Sequence, residues 1–116
     1  MSPPHIDSYD FGAIVVNGQH YGADLIILPD RVIVGWWRQD GHVLHAEDLE
    51  SVFDSHPEIL VVGQGAEGRM RVDSGTRRAL AAAGIQLIAL STEEACQMYN
   101  ASCLKRKTAA ALHLTC

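Results

Sequence analysis

A glycine-rich loop is the stretch of this chain best suited to do chemistry. Its sequence is Gly63-Gln64-Gly65-Ala66-Glu67-Gly68. It follows the apolar run Ile59–Val62 and is itself followed by Arg69 and Arg71. Glycines let backbone N–H groups converge on an anion, and arginines add positive charge in a bidentate form. The pattern predicts either a loop that binds an anion or small molecule, or a tight loop whose glycines only permit positive φ angles.

The loop has the glycine spacing of a dinucleotide-binding fingerprint, but the segments that follow it differ from those of the fingerprint. In that fingerprint the glycines open a helix, and an acid after the next strand binds a ribose hydroxyl. Here Asp73 or Ser74 is the first credible N-cap, several residues after the glycines, and the next strand ends in Ser91-Thr92. We therefore expect no NAD binding, and we predict no cofactor.

Other polar residues could meet the loop at the same edge of a sheet. Ser91 and Thr92 end the strand expected beside Ile59–Val62, and ligands of open α/β sheets bind at the carboxyl ends of strands. The predicted ligand site comprises Gly63, Gln64, Gly65, Arg69, Ser91, Thr92, Asn100 and Arg106. Helix capping is the alternative role for Ser91, Thr92 and Asn100.

The histidines and cysteines do not form a catalytic or metal-binding pattern. His42, His45 and Asp48 have the spacing of ligands on one helical face, but His42 belongs to a turn, so we predict no metal site. Cys96 and Cys103 lie on one face of a helix, where cysteine often packs as a small hydrophobe. We assign no catalytic residue, and the sequence leaves open whether the protein has any enzymatic activity.

Two adjacent tryptophans, Trp36 and Trp37, are candidates for contact with a protein partner. In a strand over 31–37 they would point to opposite faces. If both faces are covered, both tryptophans lie in the core. Otherwise one is exposed, and exposed tryptophans are favoured anchors at protein interfaces.

Bulk composition excludes several classes of protein. A chain of 116 residues predicts one domain, over 1–116, and the net charge of −5 argues against nucleic-acid binding. No apolar run approaches the roughly 20 residues of a membrane span, so we expect no membrane insertion. Three cysteines without a CxxC pair predict reduced thiols and a cytoplasmic protein.

The periodicity changes once along the chain. The N-terminal part predicts strands at 11–16, 25–28 and 31–37, joined by short turns into an antiparallel meander. After a helix that starts near Glu47 and stops at His56-Pro57, the pattern predicts buried strands at 59–62 and 85–90. It also predicts helices at 74–83 and from 91 to about 101 or 103. Residues 109–115 could be strand or helix, and the alternation around His113 favours a strand. The predicted fold is a single layered α/β domain with an N-terminal antiparallel β-meander and a C-terminal βαβ(αβ) parallel or mixed sheet.

The order of these elements resembles one known family across nearly the whole chain. The residues that carry the resemblance are Tyr21, Leu28-Pro29, Val32–Trp36, Glu47-Asp48-Leu49, Pro57–Gly65, Gly84-Ile85, Thr92–Cys96, Tyr99-Asn100, Arg106 and Ala109–Leu112. The family is the small domain-of-unknown-function family that includes the mitochondrial respiratory complex I assembly factor 3. Its glycine loop usually has threonine where this chain has Gln64.

The resemblance implies a compact α/β fold without established catalytic residues, and one branch that acts through protein contacts. We therefore expect a non-enzymatic interaction module of the assembly-factor type, with a protein partner. The alternative is a protein that binds an anion or small molecule through the glycine loop, with or without enzymatic activity.

Overall fold

The computed structural model describes residues 2–116. The strands in this range are β1 (Ile6–Asp10), β2 (Ala13–Val16), β3 (Gln19–Tyr21), β4 (Leu25–Leu28), β5 (Arg31–Val34), β6 (Val43–Leu44), β7 (Ile59–Gln64), β8 (Arg71–Val72), β9 (Gln86–Leu90) and β10 (Thr108–His113). The helices are α1 (Glu50–Ser55), α2 (Ser74–Ala82) and α3 (Thr92–Cys103). A 3-10 turn, Ala46–Leu49, precedes α1.

A five-stranded mixed sheet is the centre of the fold, with the strand order β5-β4-β10-β7-β9. Strands β10, β7 and β9 run parallel, whereas β4 is antiparallel to both β10 and β5. Strands β1, β2 and β3 form a separate antiparallel sheet, and β6 pairs with β8. The predicted α/β class, with antiparallel strands first and a mixed sheet toward the C-terminus, is confirmed.

Both faces of the central sheet are covered, which explains the apolar runs in its inner strands. Leu60 and Val62 pack on one face with residues of α1 and α2, and Ile59 and Val61 pack on the other with residues of α3 and the three-stranded sheet. Successive side chains in a strand point to opposite faces, so a strand between two layers must be apolar throughout. The result is a three-layered molecule with β10 in its middle.

Three details of the predicted elements are wrong. The predicted meander is divided between two sheets, because β2 pairs with β1 and β3 while β4 and β5 join the central sheet. The strand predicted over 31–37 ends at Val34, because Gly35 adopts a φ of +67°, which breaks the extended backbone. Strand β9 is the edge of its sheet and only half-buried, rather than buried. The last segment is a strand, as its alternation indicated.

Candidate functional site

Backbone N–H groups of the glycine loop donate hydrogen bonds to acceptors within the protein itself. The N–H of Gly65 donates to Oγ1 of Thr92 at 2.9 Å, and the N–H of Ala66 donates to the carbonyl of Thr115 at 2.8 Å. The N–H of Gly68 closes a turn onto the carbonyl of Gly65 at 3.2 Å. An anion cradle needs several such groups converging on a ligand. Two of these N–H groups instead hold the loop to other segments of the chain, and the third closes the loop on itself.

Thr92 is the residue that connects the carboxyl ends of three parallel strands. Its hydroxyl donates to the carbonyl of His113 at 2.6 Å while accepting the Gly65 N–H, and its own N–H donates to the carbonyl of Gly65 at 3.0 Å. The side chain is fully buried. The glycine loop is thus bonded to the first turn of α3. The loop and Thr92 lie in contact, as predicted, and their hydrogen bonds hold segments of the fold together.

Two of the glycines are required by close approach. A Cβ at position 63 would lie 2.9 Å from Oγ1 of Thr92, and a Cβ at position 65 would lie 2.7 Å from the carbonyl oxygen of Thr115. Gly65 also has a φ of +97°, a conformation that other residues rarely adopt. The interpretation of this segment as a tight structural loop therefore fits its geometry.

The other predicted site residues near the loop have local partners. The Gln64 amide donates to the carbonyl of Met70 at 2.9 Å, across the base of the loop. Arg69 is exposed and pairs with Glu67 at 2.7 Å. The Ser91 hydroxyl donates to Glu94 at 2.8 Å, at the start of α3. These contacts order the loop and the start of α3.

Asn100 and Arg106 lie away from the loop. The Asn100 amide donates to the carbonyl of Ile6 at 2.7 Å and accepts the N–H of Ile6 at 3.0 Å, so it ties α3 to β1. Arg106 precedes β10, whose first residue is opposite Ile59 at the amino end of β7. The expectation that Arg106 reaches the glycine loop is wrong, because the loop follows the carboxyl end of the same strand.

Sequence reasoning missed a buried polar network of Asp24, Arg38 and His113. Oδ2 of Asp24 lies 2.8 Å from Nη1 of Arg38 and 2.8 Å from Nδ1 of His113. Oδ1 of Asp24 accepts the N–H of Leu114 at 2.8 Å. The Arg38 side chain is 5% exposed and stacks on the Trp36 ring, 4.7 Å from its centroid. No spacing rule connects residues so far apart in the chain.

The network holds Asp24 as a carboxylate. Burial alone would raise its pKa, but the bonds from the Leu114 N–H, His113 and Arg38 outweigh that effect, so the pKa lies below its ordinary value. Nδ1 of His113 lies within hydrogen-bonding distance of both Oδ2 of Asp24, at 2.8 Å, and Nη2 of Arg38, at 3.1 Å, and the tautomer of the ring determines which of the two it bonds. The network joins the start of β4, the end of β10 and the loop after β5.

The two cysteines of α3 lack a reactive setting. Burial, followed by the charge of Glu93, raises the pKa of Cys96 to about 12, and burial also raises the pKa of Cys103. Thiols that stay protonated are poor nucleophiles. Within residues 2–116, no group of three His, Cys, Asp or Glu side chains is arranged to hold a metal ion. In the same range no helix has the length and apolar character needed to cross a membrane.

The two tryptophans have different environments. Trp36 is buried and its Nε1–H donates to the carbonyl of Asp48 at 2.9 Å. Trp37 is 77% exposed, and Val34, at the end of β5, is 58% exposed. The two tryptophans follow the end of the strand at Val34, so the alternation of side chains along an extended strand does not explain their different environments. The break in the backbone after Val34 separates the two rings. Trp37 is therefore an exposed aromatic side chain in the segment that follows an edge strand.

Comparison with known proteins identifies the family. The chain is 32% identical over 112 residues to human (Homo sapiens) "NADH dehydrogenase (ubiquinone) 1 alpha subcomplex assembly factor 3", a match covering 93% of this chain and 59% of the human protein. The chain thus spans about three-fifths of the length of that relative.

Two solved structures show the same fold. A protein from Rhodopseudomonas palustris is 30% identical with a TM-score of 0.73, covering 93% of this chain and 81% of that one. A conserved hypothetical protein from Pyrococcus horikoshii, 23% identical, has a TM-score of 0.82 and covers 96% of this chain and 98% of that one. The resemblance seen in the sequence is confirmed: residues 6–113 match the family described as "Protein of unknown function (DUF498/DUF598)", and the chain belongs to that family.

Proposed function

We propose that this protein is a non-enzymatic protein-binding module of the assembly-factor type. The observation that carries the proposal is the exposure of Trp37, at 77%, shortly after Val34, which ends an edge strand. The name of the human relative, an assembly factor, supports the same class of function. Tryptophan is enriched among the residues that contribute most to protein interfaces, because it buries a large rigid surface.

The chemistry of the interior supports a binding role over a catalytic one. The Thr92 hydroxyl and the Asp24 carboxylate are both engaged in bonds that join segments of the fold. We also propose a reducing compartment, the cytoplasm, because all three cysteines carry free thiols and one of them is exposed.

The proposal is tested by comparing two exposed aromatic side chains. The tagged protein and its Trp37→Ala and Phe11→Ala variants are used to capture proteins from the native cell, with detection by quantitative mass spectrometry. Phe11 is the matched control, because it is 64% exposed but lies in the turn between β1 and β2. Loss of a hot-spot tryptophan costs at least about 2 kcal/mol, or roughly thirtyfold in affinity. We expect Trp37→Ala to lose specific partners that Phe11→Ala retains.

Equal capture by all three proteins would refute a binding role for Trp37. Melting temperatures of the variants serve as the check on folding, and both should stay close to that of the wild type, because each side chain projects largely into solvent.

A further inference from the structure

Strand β5 offers an unpaired edge with different side chains on its two faces. It is the terminal strand of the central sheet and pairs with β4 on one side. Ile33 packs into the core beneath α1, whereas Val32 packs into the core beneath α3. Val34 lies on the same face as Val32 and is largely exposed. A strand added to this edge would therefore meet two distinct surfaces.

An acidic groove borders this edge on the α1 face. It has a volume of about 320 Å³ and lies between β5 and α1. Its apolar floor is formed by Ile26, Ile33 and Trp36. Its polar lining is formed by Glu47, Asp48, Glu50, Ser51 and Asp54.

Three of the four carboxylates of the groove are available for a partner. Asp48 is engaged, because it accepts the N–H of His45 at 3.0 Å. Within residues 2–116, Glu47, Glu50 and Asp54 form no ion pair, and all three are exposed. Three unpaired carboxylates around an apolar floor complement a lysine or arginine whose methylene stem packs on the floor.

We propose that the β5 edge binds an extended segment of a partner protein, in which basic and apolar residues alternate, as an added strand. Side chains on one face of such a segment would reach the acidic groove, and those on the other would cover Val34. Main-chain hydrogen bonds to β5 would supply affinity, and the alternation would supply specificity. The inference rests on the proposed function and names the partner's chemistry.

The opposite edge of the sheet lacks these features. Strand β9 is the other terminal strand, but its residues from Leu87 to Leu90 are half-buried. Among residues 2–116, the large exposed apolar side chains are Phe11, Val34, Trp37, Met98 and Leu104, none of them in β9. Exposed apolar surface beside an unpaired edge distinguishes β5 as the binding edge.

The probe for this inference is a synthetic peptide of about eight residues, a usual strand length, that alternates lysine and valine. Binding to the ¹⁵N-labelled protein is followed by NMR at low salt. We expect saturable shifts at the amides of β5 and at the indole N–H of Trp36. A glutamate–valine peptide should not bind, and N-methylation of alternate peptide nitrogens should weaken binding at least about tenfold by removing main-chain donors.

Charge reversal in the protein supplies the matched comparison. Glu50→Lys with Asp54→Lys should weaken lysine–valine binding at least about tenfold, because two attractive charges become repulsive. Asp10→Lys with Glu93→Lys changes the net charge equally, at exposed positions outside the groove, and should change affinity less than about twofold. Equal losses in the two double variants, or shifts centred on β9, would overturn the inference.

The two proposals fail differently. If Trp37→Ala loses cellular partners but the lysine–valine peptide does not bind, the protein is an interaction module and strand addition at β5 is wrong. If the peptide binds at β5 but capture does not depend on Trp37, strand addition holds and Trp37 is not the anchor.

Discussion

At the scale of single residues, Asp24 lies within hydrogen-bonding distance of three residues that are remote in the sequence. One carboxylate neutralises the buried Arg38, accepts the N–H of Leu114 and lies 2.8 Å from Nδ1 of His113. Nε of Arg38 is buried without a hydrogen-bond partner in residues 2–116, so the guanidinium depends strongly on this carboxylate. Breaking a buried ion pair by removing one partner is costly because the remaining charge stays buried and uncompensated.

Asp24→Asn should therefore destabilise the protein by about 3 kcal/mol, measured by urea denaturation. Asp30→Asn is the control, because the Asp30–Arg31 pair is 60% exposed on both sides and such pairs contribute at most about 1 kcal/mol. A loss for Asp24→Asn no larger than that for Asp30→Asn would show that the network is not a stabilising feature.

The pH dependence of stability gives the same prediction a second readout. The pKa of Asp24 is lower in the folded protein than in the unfolded chain, where it is about 3.9. Its contribution to the free energy of unfolding is therefore present above the unfolded pKa and is lost as pH falls through the folded pKa. The difference in unfolding free energy between wild type and Asp24→Asn should therefore shrink below about pH 4. An unchanged difference would contradict the role of ionised Asp24.

At the scale of elements, the sequence predicts best where local signals suffice. The strand–helix–strand unit of β7, α2 and β9 follows from two apolar runs and the helix start at Asp73-Ser74. Strands β1 and β3 were missed, since they are short, largely exposed and defined by pairing with β2. Pairing depends on distant residues, so no local pattern reveals it.

The candidate site shows the same limit. The sequence placed Thr92 beside the loop, because parallel strands end at one edge, and that placement is confirmed by the bond to Gly65. It could not show that the hydroxyl and the loop satisfy each other's hydrogen bonds. Arg106 was predicted at the carboxyl ends of the strands, but it lies in the link that precedes the amino end of β10. Asp24 was missed because its partners are remote in sequence.

The contact between the loop and the last residues of the chain predicts the effect of adding one methyl group. Gly65→Ala should cost at least about 2 kcal/mol, because its Cβ would overlap a backbone oxygen at a left-handed φ. Gly22→Ala, where a Cβ meets nothing within 4 Å, should change the free energy of unfolding by less than about 0.5 kcal/mol. Thermal or urea unfolding measures both. Equal effects would mean that the loop moves easily away from Thr115.

At the scale of the whole molecule, stability and recognition are located in different parts of one sheet. The middle strand, β10, is buried along its length and paired on both sides, and it contacts α3 as well. At the edge, β5 pairs on one side only and exposes both of its end residues. An edge can therefore exchange its solvent contacts for those of a partner without disturbing the core strands that hold the molecule together.

Native-state hydrogen exchange should resolve this division. Amides of Ala109, Ala110 and Ala111 should exchange only through global unfolding, with opening free energies in the 5–15 kcal/mol range of whole domains and a steep dependence on denaturant. Amides of the two-residue strands β6 and β8 should exchange through local opening, with lower free energies and little denaturant dependence, because their ladder is too short to unfold cooperatively. If β10 exchanged as readily as β6, the central strand would not be the last part of the molecule to open. Binding of the lysine–valine peptide should slow exchange in β5 and in β10, whose opening requires release of the peptide, but not the local opening of β6 and β8.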